Sequence, residues 1–216
     1  MNTYIPLPNS SAGSPVQFSE PAAYSYESCH CCPRNCQSNR TKKQGWCHSP
    51  AGIRAARAAL HPWEEPCISG LHGSGTIFFS GCTLRCCFCQ NSILSKNHFG
   101  KELTVNELGD AFLRLQDKGA YNINLVRPTQ FFPDIIKTLD LVRHKLHIPV
   151  VCNCGGYERP EIISQLKDYI DIWLPDFKYF DNELAFRYSK AKDYFEQASA
   201  SIAQMIHQTG APEYTI

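Results

Sequence analysis

Apolar and polar positions along the chain fall into two regimes. Before about residue 70 no period is sustained, beyond a stretch at 52–60 that reads as one short helix. From Thr76 onward, short β-rich runs alternate with amphipathic segments. Residues 76–80 are bounded by glycines and read as a strand leading directly into a cysteine-rich loop. Thr104 and Glu107 have the spacing of a capping box, and Val105, Leu108, Phe112 and Leu115 share one helical face before Gly119 ends the segment. Residues 122–126 form a second strand. After the turn at Arg127, Pro128 and Thr129, Pro133 opens a helix with Ile135, Ile136, Leu139 and Val142 on its apolar face. A third strand at 149–153 precedes a helix opening at Pro160, and a fourth at 171–175 precedes helical sequence over 193–207.

Four β/α units in succession imply an α/β fold with a parallel sheet and right-handed crossovers. If such a sheet curls toward a barrel, its chemistry belongs at the C-terminal ends of the strands. The cysteine loop follows the first strand, residues 124–129 the second, 153–157 the third and 176–178 the fourth. The unusual polar residues therefore converge on one rim.

Composition sharpens this picture. A chain of 216 residues buries a full core without crosslinks, so its 12 cysteines call for a chemical explanation. The N-terminus has no basic region followed by an apolar run, as a secretory signal would. A cytoplasmic setting is expected, where thiols serve as metal ligands more often than as disulfides; a secreted disulfide scaffold would need oxidised pairs and no metal. No stretch approaches the roughly 20 apolar residues of a membrane span. The formal net charge of +1, with lysines and arginines scattered, gives no footprint for nucleic acid. Three divisions follow: a loosely ordered lead-in at 1–28 rich in Pro, Ser and Ala, a cysteine-rich metal-binding extension at 29–70, and a core at 71–216.

Cys82, Cys86 and Cys89 are spaced C-x3-C-x2-C, with no fourth partner placed to close a tetrahedral site. Three thiolates on a four-iron cluster leave one iron open to an exogenous ligand. Cys87 breaks the spacing and reads as a packed thiol; the competing reading is a set of buried thiols or a zinc knuckle. Cys29, Cys32, Cys36 and Cys47 supply a second, closed set, C-x2-C-x3-C-x10-C, suited to zinc or to an auxiliary iron-sulfur cluster. Cys31, His30 and His48 leave its membership open.

The C-x3-C-x2-C spacing, with Phe88 before the last cysteine, resembles the signature of the radical S-adenosylmethionine (SAM) enzymes. Further stretches resemble a branch of that superfamily related to pyruvate formate-lyase activating enzymes: the cysteine run from Cys29, Glu-Glu-Pro-Cys from Glu64, Gly-Ser-Gly from Gly73, Tyr-Asn-Ile-Asn from Tyr121 and Asp-Ile-Trp-Leu-Pro-Asp from Asp171. The resemblance implies a [4Fe-4S] cluster on Cys82, Cys86 and Cys89, with SAM chelating the free iron. It also implies reductive cleavage to a 5′-deoxyadenosyl radical that abstracts hydrogen from a small molecule or from a glycyl residue of a partner protein. A flavodoxin or ferredoxin is implied as electron donor. Asn153, Gly155 and Gly156 match positions near the adenosyl group, and Asp176 and Lys178 would face the barrel mouth as candidate catalytic groups. Many relatives carry a Gly-Gly-Glu-type run after the second strand. Here Val126, Arg127, Pro128 and Thr129 replace it, with Thr129 the expected cofactor contact.

Such cores usually contain six units, so the resemblance implies an incomplete (β/α)6-type partial TIM barrel of about four units, truncated at its C-terminal side. Three explanations are a truncated product, a cavity completed by another subunit, and a non-catalytic iron-sulfur or zinc-binding module derived from such an enzyme.

Overall fold

A computed structural model describes residues 25–96 and 99–210, so most of the lead-in expected at 1–28 lies outside the described residues. The element order is β1 (Ile53–His61), α1 (Pro66–Ser69), β2 (Ser74–Phe79), α2 (Ser92–Lys96), β3 (Lys101–Leu103), α3 (Val105–Asp117) and β4 (Ile123–Val126). It continues with α4 (Phe132–Val142), β5 (Val150–Cys154), α5 (Pro160–Gln165), β6 (Ile172–Pro175), α6 (Asn182–Ser189) and α7 (Tyr194–Thr209). Among the described residues these strands form one sheet in the order β3-β1-β2-β4-β5-β6.

The expected parallel core is present: β2 pairs with β4, β4 with β5 and β5 with β6, all parallel. The sheet is nevertheless mixed, because β1 runs antiparallel to both β2 and β3. The short helix expected at 52–60 is therefore corrected to strand β1. Local propensity there favours helix through four alanines, yet pairing from Ala55 opposite Phe79 to His61 opposite Ser74 overrides it. A register shift between Ala55 and Arg57 bends the strand as it crosses. The fourth unit carries two helices rather than one. Asp181 starts the additional one, α6, by accepting hydrogen bonds from the backbone N–H of Glu183 and Leu184.

Register assigns the two faces of the parallel strands. Ile77, Phe79, Ile123, Leu125, Cys152 and Trp173 belong to the main core with residues of α3, α4, α5 and α7. Gly109 permits α3 and α4 to approach closely, since a Cβ there would stand 2.8 Å from Val142 Cγ1. The alternate positions include Thr76, Asn124 and Asn153, so the opposite face carries polar groups. Among the described residues no helix is long and apolar enough to cross a membrane.

Candidate metal centre

The cysteine loop leaves β2 through Ser80 and Gly81. Gly81 has φ +82°, and a Cβ there would lie 2.2 Å from Ser49 Oγ and 2.7 Å from the Cys47 carbonyl oxygen. Only glycine fits this crossing against the N-terminal extension. The Cys82 N–H donates to Cys47 O at 3.2 Å, Gly81 N–H to Leu94 O at 2.9 Å, and Cys87 N–H to Tyr188 O at 2.9 Å. The loop is thus held by the extension, by α2 and by the end of α6.

Cys82, Cys86 and Cys89 share an aromatic-lined cluster with Leu84, Tyr157, Tyr179 and Tyr194. Cys87 is exposed and is not part of it. Burial pushes the Cys82 thiol up, opposed by backbone hydrogen bonding and by the nearby Arg127 guanidinium. Arg127 sits at the end of β4 with φ +58°, the left-handed region that costs a non-glycine residue strain. Its Nη1 is 4.0 Å from Cys89 Sγ, while its buried Nε and Nη2 have no hydrogen-bond partner among the described residues. Buried guanidinium donors left unpaired are expensive, so this side chain presents a prepared anion site beside the cysteines.

The turn after β5 closes on the same loop. A Cβ on Gly155 would meet Leu84 Cδ1 at 2.7 Å, and one on Gly156, at φ +74°, would meet the Asp176 carbonyl oxygen at 2.3 Å. The buried Tyr194 hydroxyl ties the turns together: it accepts from Lys178 N–H at 2.8 Å and lies 2.9 Å from Gly155 O and 3.1 Å from Asp176 O. Asp176 and Lys178 form an ion pair with each other, and the Asp176 side chain is 56% exposed, a rim position.

Asn153 points elsewhere. Its Nδ2 and that of Asn124 both donate to Glu64 Oε2, at 3.1 and 2.6 Å, and Glu64 Oε1 lies 4.0 Å from His61 Nε2. Glu64 covers the polar face of the sheet from the segment after β1. It carries no periodic signal and gained no role from sequence reasoning, although it opens one of the quoted stretches. Thr129 and Glu158 are both buried. Burial pushes Glu158 up to about 8, with the Thr129 side chain acting the other way.

In the extension, Cys29, Cys31, Cys32 and Cys47 are buried and Cys36 is half-buried. Arg40 lies among them: its Nη1 is 3.8 Å from Cys29 Sγ, and its guanidinium donates to Ser49 O, Gln130 O and Pro50 O at 3.1, 2.6 and 2.7 Å. The Cys36 and Cys47 sulfurs each stand 3.6 Å from the point a Gly45 Cβ would occupy. Among the described residues no group of three or more His, Cys, Asp or Glu converges closely enough for one metal ion. Around one zinc, sulfurs at about 2.3 Å from the metal stand within ~4.6 Å of each other; a four-iron cluster puts each thiolate on its own iron and tolerates a wider spread.

A family model described as the radical SAM superfamily matches residues 76–211. The chain belongs to the radical SAM superfamily. This radical SAM chain is also 33% identical over 180 residues to an uncharacterised protein of Methanocaldococcus jannaschii, a match covering 79% of this chain and 51% of that protein. The chain thus spans about half the length of the curated relative it matches. Radical SAM membership implies a [4Fe-4S] cluster, SAM and a source of reducing electrons. The residues present fit these groups: three thiols on one loop are gathered in an aromatic pocket, with unpaired guanidinium donors at its edge.

Proposed function

We propose that Cys82, Cys86 and Cys89 hold a [4Fe-4S] cluster whose open iron takes SAM, and that the protein is a SAM-cleaving radical oxidoreductase. The observation that carries this reading is the pairing of the three-cysteine loop with Arg127, whose Nε and Nη2 are buried and unpaired. When bound, the cluster and SAM supply a 5′-deoxyadenosyl radical able to take hydrogen from an unreactive C–H bond.

The chain's own residues bind, orient and shield. Arg127 brings unpaired donors from the β4 turn to a place beside Cys89, and being cationic it takes the carboxylate end of SAM rather than the amino end. Thr129, buried in the same turn, is the further candidate for a cofactor contact. Gly155 brings backbone against the cysteine loop and Gly156 against the turn at Asp176, where an adenosyl group would lie between them, and Asn153, its amide held by Glu64, borders that space. Asp176 and Lys178 bound the substrate side as the candidate catalytic pair. The substrate is a small molecule or, as in the activating-enzyme branch, a glycyl residue of a partner protein. Cys29, Cys32, Cys36 and Cys47, with Cys31 in the same pocket, are the candidate ligands of an auxiliary cluster or zinc. The extension at 29–70 would then be a metal-bearing wall on a core that begins near residue 71, a partial barrel of about four units.

Anaerobic reconstitution followed by electron paramagnetic resonance of the reduced protein tests this. A [4Fe-4S] signal that shifts on adding SAM, with 5′-deoxyadenosine formed under reduction, supports the enzyme. A signal indifferent to SAM, with no 5′-deoxyadenosine, would establish a non-catalytic iron-sulfur module instead.

A further inference from the structure

Glu64 has no part in either cysteine set, yet its place on the polar face of the sheet is firmly held. Pro66 opens α1 just after it, and Asn122 Nδ2 donates to Ile68 O at 2.8 Å, which straps this segment to the start of β4. The strap is closed by Gly73 N–H on Ser69 O at 2.8 Å and by Tyr121 N–H on Gly73 O at 3.2 Å. From it Glu64 reaches two strands at once, since Asn124 of β4 and Asn153 of β5 both donate to its Oε2. The side chain is 13% exposed, so a solute can still meet it.

Two acceptors in this arrangement stay open. Glu64 Oε1 lies 4.0 Å from His61 Nε2, beyond hydrogen-bonding distance, and the His61 ring packs edge-on against Phe78 with centroids 5.8 Å apart. Asn124 is fully buried, and its Oδ1 has no hydrogen-bond partner among the described residues. Among the described residues no lysine or arginine forms an ion pair with Glu64. A nearly enclosed carboxylate and a buried amide oxygen each cost free energy until a donor arrives. A cation carrying several N–H groups, an ammonium or a guanidinium, satisfies both. Among the described residues no third His, Cys, Asp or Glu converges with His61 and Glu64, so an organic cation fits better than a metal ion. The place also borders the proposed chemistry: the Asn153 carbonyl accepts the Arg127 N–H at 2.8 Å, so one residue links Glu64 to the turn that presents unpaired donors beside Cys89.

We propose that Glu64 Oε1 and Asn124 Oδ1 form the docking point for the ammonium or guanidinium group of a small-molecule substrate. The inference rests on the proposed function for calling that ligand a substrate, and on the two open acceptors for its charge. No bond is made or broken in docking. Glu64 selects by charge and Asn124 by direction: an alcohol of the same length brings no charge, and a carboxylate is repelled.

Isothermal titration calorimetry of the reconstituted full chain with n-butylamine and n-butylguanidine at neutral pH tests this, with 1-butanol and butyrate as controls of the same chain length. At least one cation should bind saturably, in the millimolar range expected of so small a ligand, and neither control should. Glu64→Gln, which keeps an oxygen for the two amides and removes the charge, should weaken cation binding by roughly tenfold or more. Glu64→Asp, with the charge on a shorter arm, should fall between. The comparison of cations with controls needs only the wild type, so poor folding of either variant cannot shield the proposal. No saturable cation binding, equal binding of butanol or butyrate, or a cation titration unchanged in Glu64→Gln would overturn it, leaving Glu64 as a strut between β4 and β5. The SAM-dependent shift of the paramagnetic signal reads the proposed function separately: its absence with Glu64-dependent cation binding intact would reject the SAM reading and retain the cation site.

Discussion

At the scale of single residues, Arg127 concentrates three costs in one side chain: a left-handed backbone, burial and unpaired donors. Strain of about 1–3 kcal/mol at such a residue persists where the surroundings impose it, here through its N–H on Asn153 O at 2.8 Å and its carbonyl, which accepts from Gln130 Nε2 at 2.9 Å. A charged hydrogen bond contributes about 1.5–3 kcal/mol. Arg127→Met is therefore expected to keep its iron and raise the SAM concentration that half-shifts the paramagnetic signal by roughly ten- to a hundredfold, with Arg127→Lys between the two. An unchanged SAM titration in the methionine variant would remove Arg127 from the site. The ligand assignment has its own check. Single alanine substitutions at Cys82, Cys86 or Cys89 should abolish the iron absorbance, and the exposed Cys87 should be replaceable; loss of iron in Cys87→Ala alone would reassign the ligands. The gathering of these three cysteines in one cluster was legible from spacing. Arg127 was not, because its significance lies in what fails to bond it, and Glu64 was not, because it reaches Asn124 and Asn153 from a loop distant in sequence.

At the scale of elements, α3 shows how far local rules reach. Its capping box forms as the sequence predicts: Thr104 Oγ1 accepts from Glu107 N–H at 3.1 Å, and Glu107 Oε2 accepts from Thr104 N–H at 2.9 Å. Thr104→Ala should cost about 1 kcal/mol in denaturant unfolding. The backbone hydrogen bond from Thr104, aided by Lys101 and the Thr104 hydroxyl, holds the Glu107 carboxyl down at about 2. A folded-state value below the unfolded one means that this stabilisation is complete above about pH 4.5 and is lost as pH falls toward 2. Acid should therefore fray the start of α3 in wild type and leave Glu107→Gln with a flatter profile; amide exchange at residues 105–108 measures it, and parallel profiles would reject the linkage. The strand β1 and the helix α6 mark where local reading stops. The alanine-rich β1 takes its conformation from Phe78 and Phe79 on the neighbouring strand, a pairing partner that no window of sequence contains. Helix α6 is short, and it sends Ala185 into a small cluster at the cysteine loop rather than the main core, while Leu184, Phe186 and Tyr188 stay exposed.

At the scale of the molecule, residues 29–50 meet the parallel core at the cysteine loop, and Arg34 is the clearest joint between them. Its guanidinium donates to Thr83 O and Leu84 O in the cysteine loop and to Ser189 O and Lys190 O at the end of α6. Those last two carbonyls belong to a helix end that closes in the left-handed conformation at Lys190, φ +56°, without a glycine. The arginine therefore satisfies acceptors that helix termination leaves open while fixing the extension over the loop. It also lies over Tyr157, whose ring stacks on Tyr194, so the same contact reaches the turns after β5 and β6. Removing it should loosen several partners at once. Arg34→Ala is expected to lower stability by about 2–3 kcal/mol, to reduce iron retained after gel filtration, and to speed tryptic cleavage at the exposed Lys42 and Lys43. Arg34→Lys, which reaches fewer of the four carbonyls, should fall between. If the alanine variant melts with the wild type and is cut no faster, the extension is held elsewhere, and Arg40, fastened to the Gln130 carbonyl beyond β4, is the next joint to break.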